Sequence, residues 1–411
     1  MTSSINWDSD KERESLIHRI HSYPAKFPAF ITTKALHYAE RQGIRVRTIA
    51  DVFCGCGTTA VEARKNDKNF WGCDINPVAT LIAQVKSRSY KQETLQMYYA
   101  GIRARYYQTR ISGKEVMQIN DRIKYWFEER NIEDLLRLKK SIIQEIPYRS
   151  PYRKFFLCAF SNILKLTSRW LTKSIKSQID PHKPVHDVFE TFERQFSLME
   201  KASAENIFPK DGKAYICIEN KNFLKIRPKQ PSLDLIVTSP PYVSSYDYAD
   251  IHQLSALWLD YVSDYRELRK GMMGNRCKIS IPSESDIDAL TDDAKETYKS
   301  LLRKDKAKAR ATARYFVDLR VATTKCFDIL KKQGMIVFVI GDTEYKGVKI
   351  DNVKFLAASM EDAGFQKIDV MPRKVSRKNL TPYRDSIGRF VRKSGKKTVY
   401  EKEFIVIGRR P

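Results

Sequence analysis

The stretch from Val46 to Asp74 limits the fold more than any other part of the chain. Val46–Phe53 is a short apolar run rich in β-branched residues and reads as a strand. Cys54-Gly-Cys-Gly-Thr-Thr-Ala60 leaves it as a glycine-rich turn, and a helix follows from Thr58 to about Lys65. Asn69–Asp74 then reads as a second strand. Strand, glycine turn, helix and strand form the first unit of a nucleotide-binding α/β sheet, in which ligands sit at the carboxyl ends of strands. Gly55 and Gly57 let the backbone approach a ligand closely, and the helix N-terminus favours a carboxylate or phosphate. The G-x-G spacing lacks the third glycine of the dinucleotide fingerprint. Asp74 is placed to accept hydrogen bonds from both ribose hydroxyls, and it can also cap the helix Pro77–Lys86. Together these elements point to an adenosine-type ligand.

Upstream, Tyr23 and Phe27 are bracketed by Pro24 and Pro28, and Pro28 opens a helix to about Arg41. Such an aromatic arm can lie across a flat ligand or pack on the core. Downstream, Ala214–Glu219 returns to strand; at the exit of a third strand, Glu219 or Asn220 is a candidate to read an adenine edge. Asp234–Val237 is the next strand, and Ser239-Pro-Pro-Tyr242 stops it. Two prolines fix φ, donate no N–H and push Ser239 towards an extended conformation. That loop offers carbonyls, one hydroxyl and one aromatic face, which suits a planar ring carrying an amino group. Ser239 and the Pro240 carbonyl can accept the amino hydrogens while Tyr242 stacks on the ring. Three further strands are expected at Gly334–Gly341, Phe365–Met371 and Glu403–Gly408, with a helix around residues 352–363 stopped by Gly364.

Five segments follow from this rhythm. Residues 1–90 form the N-terminal, cofactor-binding part of the catalytic domain, and 91–210 a helical insertion that contacts nucleic acid or caps the site. Residues 211–262 carry the proline loop, 263–314 are a second, basic insertion, and 315–411 complete the sheet. Within the last, 373–397 holds ten basic residues and one acidic. Arg373, Lys374, Arg377, Lys378 and Arg384 of that loop are expected on a phosphate backbone. The whole chain of 411 residues has 74 Lys+Arg against 49 Asp+Glu and a net charge of +25, which points to a polyanionic partner.

No apolar run reaches the roughly 18 residues needed to span a membrane. The polar, acidic N-terminus is unlike a signal peptide. Seven cysteines without a framework spacing fit a reducing cytosol, so a cytoplasmic location is expected. Cys54, Cys56 and Cys73 lack a fourth ligand at a usual spacing, and no metal is expected.

The combination of glycine turn, ribose acid and Thr-Ser-Pro-Pro-Tyr resembles the S-adenosylmethionine-dependent amino-methyltransferases of DNA, most closely their cytosine-N4 group. Ser-Pro-Pro-Tyr is typical of that group, whereas adenine-N6 enzymes mostly carry Asp or Asn at the position of Ser239. Tyr23–Pro28 is similar to the family's cofactor-flanking motif, Asp51-Val-Phe53-Cys-Gly55-Cys-Gly57-Thr58 to its methionine-binding loop, and Asp74 to its ribose acid. The likeness covers residues 18–90 and 212–261, and more loosely 315–408. Here the cofactor half precedes the catalytic loop, the reverse of the best-known cytosine-N4 order. The resemblance implies a Rossmann-like, seven-stranded α/β sheet with helical insertions. It also implies S-adenosyl-L-methionine as donor, direct methyl transfer to an extruded base of duplex DNA, and a restriction–modification setting with a cognate endonuclease. The protein would act as a monomer or homodimer. Asp247, Asp250 and Asp342 are secondary candidates as proton acceptors. Adenine-N6 methylation, RNA methylation and a non-catalytic DNA-binding subunit are the competing readings.

Overall fold

The computed structural model describes residues 6–8, 14–24, 26–172, 174–209, 212–227, 230–243, 247–274, 282–374, 383–384, 397–398 and 402–411. Seven strands form one sheet: β1 (Thr48–Asp51), β2 (Asn69–Asp74), β3 (Ile216–Asn220), β4 (Leu233–Thr238), β5 (Leu330–Ile340), β6 (Gln366–Lys374) and β7 (Lys402–Arg409). Their spatial order is 3-2-1-4-5-7-6. The first five are parallel, and β7 runs antiparallel between β5 and β6. Strand order reverses between β1 and β4, and a crevice opens beyond the carboxyl ends at such a switch point. The expected Rossmann-like sheet is present.

Alternation along the strands assigns each residue to a face. Ile49, Leu235, Val237, Val337 and Ile405 pack with Ile31 and Leu36 of helix α1 (Phe30–Arg41). Ala50, Ile236, Ile336, Phe338 and Val406 turn to the other face, against Phe316, Leu319 and Leu356. β4 is buried at all six positions, as its unbroken apolar run requires. Its one charged residue, Asp234, is 7% exposed. One oxygen accepts from the amides of Arg47 and Thr48 at 2.9 and 2.8 Å, and the other from Lys331 Nζ at 2.8 Å. The starts of β1, β4 and β5 are thus held by one carboxylate.

Helix α2 (Thr58–Lys65) follows the glycine turn and α3 (Pro77–Lys86) follows β2. The helical insertion contains α4 (Pro151–Ile163) and α5 (Val188–Glu205), besides helices at Gln92–Gln108 and Glu129–Glu145. Among the described residues it has no core of its own. Val61 of α2 and Val78, Leu81 and Ile82 of α3 share one cluster with Leu135, Phe156, Phe160 and Phe192 of the insertion. That cluster also takes Leu254 and Trp258 of α6 (Tyr248–Trp258), the helix that leaves the proline loop. α6 begins at Tyr248, where the Asp247 side chain accepts from the amides of Ala249 and Asp250 and caps it.

The boundary expected between residues 314 and 315 falls inside one helix. α7 (Lys306–Ile329) is continuous for 24 residues. The basic stretch is amphipathic: Arg303, Lys304, Lys306 and Arg310 are exposed, while Lys308, Ala309, Ala311 and Thr312 are buried. Alanines at helical spacing let the stretch pack, which its charge count concealed. Among the described residues no helix is long and apolar enough to cross a membrane.

Replacing Asp234 by Ala leaves two strand-entry amides and an ammonium without their acceptor. It should lower stability to urea by about 2–4 kcal/mol, read as a shift of the unfolding midpoint.

Candidate functional site

A cleft of about 730 Å³ lies at the carboxyl ends of β1 and β4. Its size matches an ordinary small-molecule site, which spans roughly 300–1,000 Å³. Tyr23, Phe27, Asp51, Phe53, Gly55, Thr58 and Asp74 line one part, and Ser239, Pro241, Tyr242 and Val243 line another. The glycine turn and the proline corner therefore open into one space.

The turn is built from two left-handed residues, Gly55 at φ +46° and Gly57 at φ +77°. Gly57 caps α2, and a Cβ there would lie 2.6 Å from Ala83 Cβ of α3. Its absence of a side chain lets α2 and α3 pack. Gly55 lies beneath the Tyr23 ring, whose phenol oxygen would be 3.2 Å from a Cβ at residue 55. Asp74 Oδ2 accepts from the Gly55 amide at 2.9 Å, and Oδ1 from the Asn76 amide at 2.8 Å. Burial pushes the Asp74 carboxyl up to about 6, against the pull of these two amides.

Asp51 lies deeper, 1% exposed. Oδ1 accepts from Thr238 Oγ1 at 2.6 Å and the Phe53 amide at 3.1 Å, and Oδ2 from Thr59 Oγ1 at 3.1 Å. Burial raises its pKa to about 7, although all three donors favour the ionised form. Asp51 therefore acts chiefly as a brace between β1, α2 and β4.

At the other end, Ser239 donates its hydroxyl to the Val339 carbonyl at 2.8 Å. While its proton is donated to β5, the Ser239 oxygen keeps acceptor capacity, and it is also hydrogen-bonded to the Tyr242 phenol. Tyr242 lines the cleft, and burial first, then the charge of Glu403, raises its phenol well above the ordinary value. Asp247 and Asp250 are bound to Arg269, at 2.9 and 2.7 Å. Asp342 accepts from the Val353 amide at 3.1 Å and is not among the lining residues.

Two expected site residues, Asn220 and Arg373, are corrected. Asn220 does not line the cleft: its amide group donates to the carbonyls of Asp74 and Ile75 and so ties β3 to the exit of β2. Pro240 is buried, and its neighbours Ser239 and Pro241 line the wall. Arg373 is 2% exposed, because β6 turns it inward, with Nη1 3.4 Å from Glu403 Oε2 and the guanidinium 5.7 Å from the Phe30 ring centre. It cannot meet a phosphate there. Lys374 is exposed, and Arg377 and Lys378 lie outside the described residues. Arg384 pairs through its backbone with Lys397 in a short antiparallel ribbon.

Other lining residues escaped the sequence reading. Asn222 and Phe223 follow β3 immediately, and Phe223 meets Phe53 edge-on at 6.1 Å. Gly271-Met-Met-Gly274, with φ of +83° and +63° at its glycines, forms a second wall beside Lys308 and Ala311 of α7. The paired glycines were the available signal. Ile75 and Phe223 give the Asp74 end apolar walls suited to a flat heterocycle.

The sequence profile of the DNA methylase family of N6/N4 type matches residues 4–85. The chain is 23% identical over 363 residues to the type II methyltransferase M.MvaI of Kocuria varians, covering 82% of this chain and 79% of that one. To the type II methyltransferase M.MjaII of Methanocaldococcus jannaschii it is 27% identical over 169 residues, 39% of this chain and 31% of that one. The crystal structure of a DNA modification methylase from Thermus thermophilus complexed with S-adenosyl-L-methionine aligns with 46% of this chain and 51% of its own, at 17% identity and a TM-score of 0.21.

Gly57→Ala combines a strained φ with a collision against α3. It should cost about 2–4 kcal/mol in thermal or urea unfolding.

Proposed function

We propose that this chain, a member of the S-adenosylmethionine-dependent DNA amino-methyltransferase family, methylates the exocyclic N4 of cytosine in duplex DNA. The observation that carries the reading is the single cleft shared by the glycine turn, Asp74 and the Ser239–Tyr242 corner. S-adenosyl-L-methionine suits the residues present. Asp74 is an acceptor for ribose hydroxyls, Ile75 and Phe223 are apolar walls for adenine, and Tyr23 and Phe27 flank the glycine turn. When bound, it supplies a methyl group on a positively charged sulfur.

The chain's own task is to present an amine in line. An aromatic amine is a weak nucleophile because its lone pair is conjugated into the ring. Ser239, polarised by its bond to Val339, can draw one amine hydrogen and favour a more pyramidal nitrogen. Tyr242 offers a ring face against which an extruded base can stack. Asp247 and Asp250 already serve Arg269 and the cap of α6, so a proton-acceptor role is secondary. Serine rather than an acid at residue 239 supports cytosine over adenine. The type II methyltransferases among the similar proteins support a restriction–modification setting.

Ser239→Ala should lower kcat by about 10–100-fold while cofactor affinity stays at the wild-type value. Digestion of methylated DNA to nucleosides should yield N4-methylcytosine; N6-methyladenine alone would overturn the cytosine assignment and leave the rest standing.

The Asp74 carboxyl also sets a pH dependence. A ribose hydroxyl donates well only to the ionised form, and protonation grows as pH falls through about 6. Cofactor affinity measured by calorimetry should be level between about pH 7 and 8 and weaken progressively below about 6. Asp74→Asn should bind more weakly throughout and lose that slope.

A further inference from the structure

The helical insertion reaches the N-terminal arm just before Tyr23. Gln195 of α5 donates from Nε2 to the buried carbonyl of Ile20 at 2.7 Å. Asn162 of α4 accepts the Ser22 amide on Oδ1 at 2.9 Å and donates from Nδ2 to Gln195 Oε1 at 2.8 Å. Between these, His21 Nε2 lies 3.0 Å from Ser161 Oγ, which lies 2.8 Å from Ser255 Oγ of α6. Three successive residues, 20, 21 and 22, are thereby gripped from one side. From the other side His18 bonds Glu62 of α2 at 2.9 Å. The next residue is Tyr23, whose ring lies over Gly55 and stacks against Tyr248 and His252 of α6, with centres 6.2 and 5.3 Å apart.

We infer that Gln195 and Asn162 are positioning residues for the methyl donor, acting through Tyr23. The inference rests on the proposed methyl-transfer reading and adds a role for the insertion within it. A proline-bracketed arm has few backbone bonds of its own to hold its course. The Ile20 carbonyl is buried and takes its hydrogen bond from Gln195, so loss of that donor leaves an unsatisfied acceptor and favours movement of the arm. Movement there shifts Tyr23 off the glycine turn and opens the cofactor end of the cleft. Asn162 orients Gln195, because with Oε1 occupied by Asn162 Nδ2 only Nε2 faces Ile20. Neither side chain lines the cleft, so neither acts on the ligand directly.

The test compares variants of the full chain by steady-state kinetics, calorimetry with S-adenosyl-L-methionine, and thermal unfolding. Gln195→Ala should raise both the KM and the Kd for S-adenosyl-L-methionine about tenfold, with kcat at saturation within about twofold of wild type. Asn162→Ala, at a more exposed bond, should raise them about threefold. The control is Asn131→Ala in the helix Glu129–Glu145. Asn131 bonds the carbonyls of Thr167 and His186, both at 3.1 Å and both inside the insertion. This variant should lower the unfolding temperature and leave KM unchanged. A wild-type KM in Gln195→Ala, or an equal rise in Asn131→Ala, would overturn the positioning role. Failure of the wild-type chain to bind S-adenosyl-L-methionine would instead overturn the methyl-transfer reading on which the inference stands.

Discussion

The site depends first on the buried carboxylate of Asp51. An ionised group in that position would cost several kcal/mol if unpaired, and three donors offset part of the penalty while burial still raises its pKa to about 7. Those donors come from three elements: the Phe53 amide in the glycine turn, Thr59 in α2, and Thr238 at the end of β4. Thr238 immediately precedes Ser239. One side chain therefore ties the turn expected to hold the donor to the corner expected to hold the acceptor. Phe53 adds a second tie, its amide lying 3.3 Å from Thr238 Oγ1. The relative position of the two halves is a property of the sheet and does not wait on a ligand, which is the preorganisation that positional catalysis requires.

The proline corner uses the same economy. β4 is buried along its whole length, and two prolines end it where no further N–H can join the ladder. Ser239 then turns its hydroxyl back to β5. The polarity of that hydroxyl is decided by a neighbouring strand, which takes its proton. In the same way the two oxygens of Asp74 hold the amides of Gly55 and Asn76, so the acid also shapes the turn that it faces.

The insertions are part of this machinery. The first shares a continuous apolar cluster with α2, α3 and α6, and its polar side chains reach the arm before Tyr23. The second brings the turn 271–274 and the start of α7 to the wall beside Tyr242. The second thus supplies one wall of the cleft, and the first packs against the arm that carries Tyr23.

Much of this was legible in the chain alone. The spans of β2, α2 and α3 were read to the residue, because apolar period, glycine and proline act locally. Gly55, Asp74, Ser239 and Tyr242 were named from the same local signals, and all four line one cleft. What tertiary structure decided is which side chains face that cleft. Asn220 was drawn back onto β2, Arg373 was folded under the sheet edge, and Lys308 of the basic run was buried at the cleft wall. Burial and hydrogen-bond partnership depend on residues far apart in the chain, and Gln195, 175 positions from Ile20, carries no local mark of the carbonyl it serves. Sequence determined the strands, the bends and the chemistry they carry; the packed sheet decided which groups meet, since a hydrogen bond needs its partner in space.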